Sequence, residues 1–156
     1  MSCAMMCIQK PRGRDAAGNT ECRGGSVRRR SIYIDEFAHK SPIPNASRIG
    51  NILVSGLIRG VDPTTQKFPP TVEAQCALMF EHLCRTVEAG GAHVEDIVKV
   101  TFWMKRLQRK PVNDEWIKMF PDPQSRPARQ IMEVPMEEDV LVQCDFMAVV
   151  DEGGTK

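Results

Sequence analysis

Two charged residues lie inside segments that otherwise have the pattern of buried β-strands. Arg129 occurs in PARQIMEV, where it shares a strand face with Ile131 and Glu133, and Asp145 interrupts the apolar run LVQCDFMAVV. Burial of either charge is costly unless an opposite charge pairs with it or the charge has a functional role. We expect the two residues on adjacent strands. There they could form a structural ion pair in an oligomer interface, or a pocket in which Arg129 binds a substrate carboxylate and Asp145 acts as acid or base.

The histidines and cysteines do not have the spacing of a metal or nucleophile site. The histidines are scattered without an HxH or HxxxH pair, at His39, His82 and His93. Cys3 and Cys7 lack a second ligand pair at zinc spacing, and Cys76 and Cys144 fall on apolar faces as small hydrophobic residues. The sequence therefore predicts no metal site.

The elements that must position Arg129 and Asp145 alternate between strand and helix patterns. An apolar stripe at helical spacing predicts a long helix between an N-cap at Thr71 and a stop at Gly90-Gly91. Pro111 begins a shorter helix. Strands are predicted over residues 31–37, 52–58, 97–105, 128–134 and 140–150. The order β-β-α-β-α-β-β indicates an α+β fold in which two helices cover one face of a mixed sheet.

The last predicted strand is apolar on both faces. Val142 and Phe146 lie on one face, and Met147 and Val149 lie on the other. Because the two helices can cover only one of these faces, the bare face is expected to be buried by oligomerisation.

Length and charge exclude several classes of protein. The chain has 156 residues, which is enough for one domain. Its formal net charge of +1 lacks the cationic excess of a dedicated nucleic-acid binder. It lacks a membrane-spanning apolar stretch and the continuous apolar core of a signal peptide, so a cytoplasmic location is expected.

Charge is also unevenly distributed along the chain. Residues 1–30 contain seven basic and two acidic residues and little apolar periodicity. They are predicted to be a disordered basic arm, followed by one domain over residues 31–151 and a tail over residues 152–156. The run Arg28-Arg29-Arg30 could contact RNA or an acidic partner, although a solvated tail is the favoured interpretation.

From Ser41 to Val150 the chain resembles the reactive-intermediate deaminase (Rid) family. The matching pieces, in order and spacing, are Pro42, GNILVSGLI, VEAQ, EAGGAHVEDIVKVTFWMK, the Val112-Asn113 pair and RPARQIMEVP. The resemblance implies a chorismate-mutase-like α+β fold and a homotrimer, in which the sheets pack into a barrel-like centre with substrate clefts between subunits. This assembly agrees with the bare sheet face.

The resemblance also implies a reaction, the hydrolysis of reactive 2-enamine or 2-imine acids to 2-keto acids and ammonia. The partner would be a small carboxylate-bearing substrate, with no metal or organic cofactor, and a specialised version would act on an aminomuconate. One alternative is a non-catalytic trimer that binds a small keto acid. RNA binding or cleavage is least favoured, because the net charge is near zero and no strand interleaves basic and aromatic residues.

Site residues are implied by the same resemblance. Arg129 matches the arginine that binds the carboxylate, and Asp145 matches the glutamate that holds the attacking water. Ser55 and Gly56 match a strand end that lines the cleft.

Two further positions match the family's cleft, and three depart from its usual residues. Ile131 matches a position that contributes its backbone, and Asn113 matches a cleft asparagine. Ile43 stands where a cleft tyrosine is usual, and Leu57 replaces a glutamine. Asp145 is one methylene shorter than glutamate, which could move the water by ~1 Å and cost ~10²-fold in rate. These departures indicate a different substrate, a slower enzyme or lost catalysis.

Overall fold

The computed structural model describes residues 28–37 and 41–150, which contain seven strands and two α-helices. The strands are β1 (Arg30–Ile32), β2 (Ala46–Ile49), β3 (Ile52–Ser55), β4 (Ile58–Arg59), β5 (Ile97–Met104), β6 (Ala128–Glu133) and β7 (Val142–Val149). The helices are α1 (Val72–Ala89) and α2 (Arg109–Met119), with short 3₁₀ turns at Asp35–Phe37 and Val94–Asp96. None of these helices is long and apolar enough to cross a membrane.

All seven strands belong to one mixed sheet in the order β1-β2-β3-β7-β5-β6, and β4 pairs with β7 beyond the end of β3. Only β5 and β6 run parallel to each other; the other pairs are antiparallel. The predicted α+β class with a mixed sheet is confirmed. The expectation that Arg129 and Asp145 lie on adjacent strands is wrong, because β5 separates β6 from β7.

Helix α1 forms where its end signals predict it. The Thr71 side chain accepts a hydrogen bond from the Ala74 N–H at 3.3 Å, which caps the first turn. At the other end Gly90 packs against the sheet so closely that an added Cβ would lie 2.4 Å from Cδ2 of Leu53. The Leu53 side chain of β3 therefore fills the space that a side chain at residue 90 would occupy, and the end of α1 lies in direct contact with the sheet.

The sheet face beneath the helices is a continuous apolar core. Phe102 on β5 is fully buried, stacks on Phe80 of α1 at 5.6 Å and meets the edge of Trp116 of α2 at 6.1 Å. Val142, Cys144, Phe146 and Ala148 of β7 point to this face and are buried. Aromatic contacts between both helices and the central strands hold the layers together.

The opposite face of the sheet is open in the single chain. Its central apolar side chains remain about two-fifths exposed: Ile52 (46%), Val54 (43%), Met147 (40%) and Val149 (38%). Val98 also remains 43% exposed, instead of sharing the buried face with Val100, because a bulge between Ile97 and Lys99 shifts the alternation of β5. The expected bare apolar face is therefore present.

The N-terminal part of the domain differs from the predicted elements. The segment 31–37 is divided into a short strand and a 3₁₀ turn, β2 was not predicted, and the segment 52–58 is interrupted between β3 and β4. Most of the predicted arm, residues 1–27, and the predicted tail lie outside the described residues. The described part of the arm ends at Arg30, which begins β1 and whose Nη2 donates to the carbonyl oxygen of Gly90 at 2.9 Å.

Candidate functional site

Arg129 lies on the edge strand β6 with its guanidinium on the helix-covered side. Its Cζ lies 4.9 Å from the centre of the Trp116 ring, a cation–π contact that fixes the plane of the fork. It forms no ion pair within the part of the chain that the structure describes. Burial lowers the pKa of Arg129, and the nearby positive charges of Arg126 and Arg109 lower it further. The arrangement favours an incoming anion.

Two other predicted residues lie near Arg129. Asn113 precedes Trp116 by one helical turn on α2, and its Oδ1 is buried without a hydrogen-bond partner among the described residues. Ile131 follows Arg129 by two residues on β6, so both side chains are on the same face, and Ile131 is half-buried. We call Arg129, Trp116, Asn113 and Ile131 the arginine group.

Asp145 lies on β7, on the open face of the sheet. It is half-buried and pairs in register with Thr101 of β5. Burial raises the pKa of Asp145, while a hydrogen bond with the Thr101 side chain and the charge of Lys99 oppose the rise. A carboxylate in this setting can hold and deprotonate a water molecule.

The gap between β3 and β4 lies directly beside Asp145. The Ser55 hydroxyl, which is buried, accepts a hydrogen bond from the Phe146 N–H at 2.9 Å and replaces the missing ladder bond. The Gly56 N–H donates to the Asn45 carbonyl oxygen at 2.7 Å. The side chain of Ser55 is thus used within the sheet, and the backbone at Gly56 is the part of this strand end that faces the neighbouring loop.

A cavity of about 440 Å³ opens beside this gap, between the loop at residues 41–45 and helix α1. Ile43, 55% exposed, and Gly56 line its outer part, so two predicted site residues meet there. We call Asp145, Ser55, Gly56 and Ile43 the acid group. The other predicted site residues do not line this cavity: Asp145, Ser55, Arg129, Asn113 and Ile131.

His82 and Thr86 line the same cavity from α1, and sequence reasoning missed both. His82 is 2% exposed, and its Nδ1 lies 2.8 Å from the carbonyl oxygen of Arg59. Burial lowers the pKa of His82. One signal in the sequence could have found them. His82 and Thr86 are four residues apart beside the apolar stripe of α1, where a buried polar side chain needs a hydrogen-bond partner or a functional role.

The arginine group and Asp145 do not meet within one protomer. Arg129 pairs with Val100, which in turn pairs with Phe146, whereas Asp145 pairs with Thr101. Paired residues project to the same side of a sheet and neighbours alternate, so Arg129 and Asp145 lie on opposite faces. No ion pair joins them in the described residues.

Comparisons with known proteins were consistent with one another. The family described as Endoribonuclease L-PSP matches residues 37–150. A RutC family protein of Pyrococcus abyssi is 31% identical over 121 residues, which cover 72% of this chain and 93% of that protein. The 2-iminobutanoate/2-iminopropanoate deaminase of Escherichia coli is 32% identical over 104 residues, 65% of this chain and 81% of that protein.

Solved structures give the same result for the fold. The crystal structure of the YjgF gene product of E. coli has a TM-score of 0.68 and 30% identity and covers 77% of this chain and 98% of its own. The crystal structure of RidA from an Antarctic Psychrobacter species has a TM-score of 0.71 at 22% identity. The match covers 78% of this chain and 99% of that protein.

Proposed function

Because this chain belongs to the Endoribonuclease L-PSP family, which is the Rid family of the resemblance above, we propose that it hydrolyses small 2-imino or 2-enamino carboxylic acids to 2-keto acids and ammonia. Relatives named as 2-iminobutanoate/2-iminopropanoate deaminases at 32% identity support this reaction class. The family match over residues 37–150 includes the segments that carry both Arg129 and Asp145.

The observation that carries the proposal is the division of the site residues between two faces of one sheet. The Arg129 guanidinium, which has no ion pair within the described ranges, lies on the covered side, and the half-buried Asp145 carboxylate lies on the open side. Neither group alone can both hold a carboxylate and activate water. The open face also exposes Val54 and Met147, apolar side chains that a second copy would cover.

We therefore propose a homotrimer in which the arginine group of one subunit faces the acid group of the next. A heterologous contact that closes after three copies presents different surfaces of each subunit to its two neighbours. Repetition of that contact would create three equivalent clefts, each completed by Arg129 from one side and Asp145 from the other.

The reaction follows from these positions. The Arg129 fork binds the substrate carboxylate and fixes the C=N carbon beside Asp145. Asp145 takes a proton from water as the water oxygen attacks that carbon, and the former C=N nitrogen gains a proton, which gives a carbinolamine. Protonation of this nitrogen and cleavage of the C–N bond release ammonia, while loss of the hydroxyl proton forms the keto group. One water is consumed, and Asp145 ends as a carboxylate.

A second candidate is a trimer that binds a keto acid without turnover. The shorter side chain of Asp145 and its hydrogen bond with Thr101 favour this alternative, because both draw the carboxylate back toward the sheet. Arg129 would bind the carboxylate of the ligand both in the enzyme and in the binding trimer.

A coupled assay separates these functions. Threonine dehydratase removes water from threonine and supplies 2-iminobutanoate, and release of 2-ketobutyrate is followed with and without catalytic amounts of this protein. Faster release that scales with the protein concentration supports hydrolysis. Release at the uncatalysed rate, together with binding of 2-ketobutyrate by calorimetry, would support the binding trimer instead.

A further inference from the structure

Two further arginines, Arg126 and Arg109, are close enough to Arg129 to act on its charge. Both lower the pKa of Arg129, Arg126 more than Arg109. None of the three forms an ion pair within the described part of the chain. Unpaired like charges repel one another, and an anion that binds among them relieves this repulsion.

The guanidinium groups of Arg126 and Arg109 have different surroundings. Arg126 donates from Nε to the Phe120 carbonyl oxygen at 2.9 Å and from Nη2 to the Pro121 carbonyl oxygen at 3.4 Å. The Arg109 side chain is exposed and donates no hydrogen bond to the described residues. Arg126 therefore stabilises the end of α2, and the guanidinium of Arg109 is available to a ligand.

The arginine group extends along α2 and β6 toward Arg109. Arg109, Asn113 and Trp116 lie on one face of α2, because they are spaced by four and three residues. The seven residues between Arg109 and Trp116 correspond to about 10 Å along the helix axis. Arg129 lies over the Trp116 ring at 4.9 Å, and Ile131 follows it on the same face of β6. Arg129 and Arg109 are therefore at opposite ends of one strip of surface.

One acidic side chain lies at the Arg109 end of this strip. Glu133 follows Ile131 on the same face of β6, and its Oε2 accepts a hydrogen bond from the Leu107 N–H at 2.8 Å. It forms no ion pair with Arg109 or Arg129 among the described residues. The acidic residues of α2 have lysine partners on the same helix at 2.7 Å: Asp114 with Lys110 and Glu115 with Lys118. The strip therefore keeps an excess of positive charge.

We propose that Arg109 binds a second carboxylate of the substrate, so that the protein acts on 2-imino or 2-enamino dicarboxylic acids. This inference rests on the proposed imine hydrolysis and specifies its substrate class. Arg129 binds the carboxylate next to the reacting carbon, and Arg109 binds the carboxylate at the far end of the carbon chain. A guanidinium can donate two parallel N–H bonds to a carboxylate, whereas a terminal methyl group would leave Arg109 without a partner.

A binding experiment tests the ligand class without any catalysis. The full-length protein is titrated in a calorimeter with 2-ketoglutarate and with 2-ketopentanoate, which have the same carbon chain and differ in a terminal carboxylate or methyl group. We expect 2-ketoglutarate to bind about 3- to 10-fold more tightly at low ionic strength, and this preference to shrink as salt is added. Equal affinities, or tighter binding of 2-ketopentanoate, would overturn the proposal.

Matched variants distinguish a contact with Arg109 from a general effect of charge. Arg109→Gln changes an exposed side chain and should reduce the affinity for 2-ketoglutarate to that for 2-ketopentanoate. Arg126→Gln removes the same charge from the neighbourhood of Arg129 and should retain most of the preference, because Arg126 donates to the carbonyl oxygens at the end of α2. A wild-type preference in Arg109→Gln, or equal losses in both variants, would contradict the assignment.

Turnover separates failure of this inference from failure of the proposed function. The imines of glutamate and norvaline are generated in situ with amino-acid oxidases and catalase, and keto-acid release is followed for each. Hydrolysis that is several-fold faster for the glutamate imine supports the inference. Hydrolysis of both imines without this preference overturns it and leaves the deaminase intact. A preference for 2-ketoglutarate that depends on Arg109, without hydrolysis of either imine, supports the ligand class and overturns the reaction.

Discussion

The sheet face beneath α1 and α2 and the open face opposite are both apolar, yet only the first is buried within the chain. Phe102 on the covered face is inaccessible to solvent, and Met147 on the open face is 40% exposed. The proposed site residues follow the same division, with Arg129 on the covered side and Asp145 on the open side.

We therefore propose that the covered face carries the stability of a single chain and that the open face, with Asp145, serves assembly and catalysis. Large apolar side chains between helices and sheet supply most of the burial that folding requires. Among the described residues no such cover lies on the open face, and in the proposed trimer other copies would bury Val54 and Met147. Substitutions on the two faces should therefore have separable effects.

The largest effect is expected for the covered face. Phe102→Ala removes a fully buried ring that contacts both Phe80 and Trp116 and should reduce the free energy of unfolding by about 3–5 kcal/mol. Urea unfolding measures the change. A loss below 1 kcal/mol would mean that the layer between helices and sheet is not the main source of stability.

Next in size is the loss of the carboxylate anchor. Arg129→Lys keeps the positive charge but loses the planar fork and the cation–π contact, and should lower kcat/KM by the equivalent of about 2–5 kcal/mol. Arg126→Lys is the matched control, because the Nε of Arg126 donates to the Phe120 carbonyl oxygen. Similar losses in both variants would refute a specific role for Arg129.

A smaller effect is expected on assembly. Met147→Lys places a charge on the open face and should weaken association by about 1–3 kcal/mol per copy, which multi-angle light scattering detects as smaller species on dilution. Ile117→Lys changes an apolar residue of α2 that is also exposed, at 55%, and should leave the assembly unchanged. A stable monomer of the unmodified protein would contradict the trimer itself.

The smallest effect concerns pH. The pKa of His82 is lowered by burial from its ordinary value of 6.5, so below that pH the unfolded chain takes up a proton that the folded chain does not. His82 therefore reduces stability as the pH falls through 6.5. The urea midpoint of the wild type should decrease more than that of His82→Gln between pH 7.5 and 5.5. Equal decreases would show that His82 does not titrate differently in the two states.

Elements with strong local signals were predicted well. Helix α1 has an N-cap at Thr71 and a glycine stop, and its apolar stripe has one period throughout, so local sequence was sufficient. Strand β2 (Ala46–Ile49) was missed because ASRI is short and has little alternation. The gap between β3 and β4 at Gly56 could not be predicted from local sequence. It depends on the Ser55 hydroxyl, which accepts a hydrogen bond from the N–H of Phe146, 91 positions away.

The relative position of Arg129 and Asp145 could not be read from the chain. Each strand was found with its charged residue, but the order of strands depends on non-local pairing. Helix α2 connects β5 to a parallel neighbour, β6, which becomes the edge, and β7 then pairs with the other side of β5. Such pairing is set by the tertiary fold rather than by local propensity.

Mixing two inactive variants tests directly whether the site is divided between subunits. Asp145→Asn should spare binding of 2-ketobutyrate and abolish most turnover, and Arg129→Lys should lose binding. The two variants are unfolded together, refolded as mixed trimers and assayed for imine hydrolysis. A cleft is intact when the Asp145→Asn chain supplies Arg129 and the Arg129→Lys chain supplies Asp145. Random assembly at equal amounts should restore about a quarter of wild-type activity. Mixed trimers no more active than the separate variants would contradict the account, since both residues would then act within one subunit.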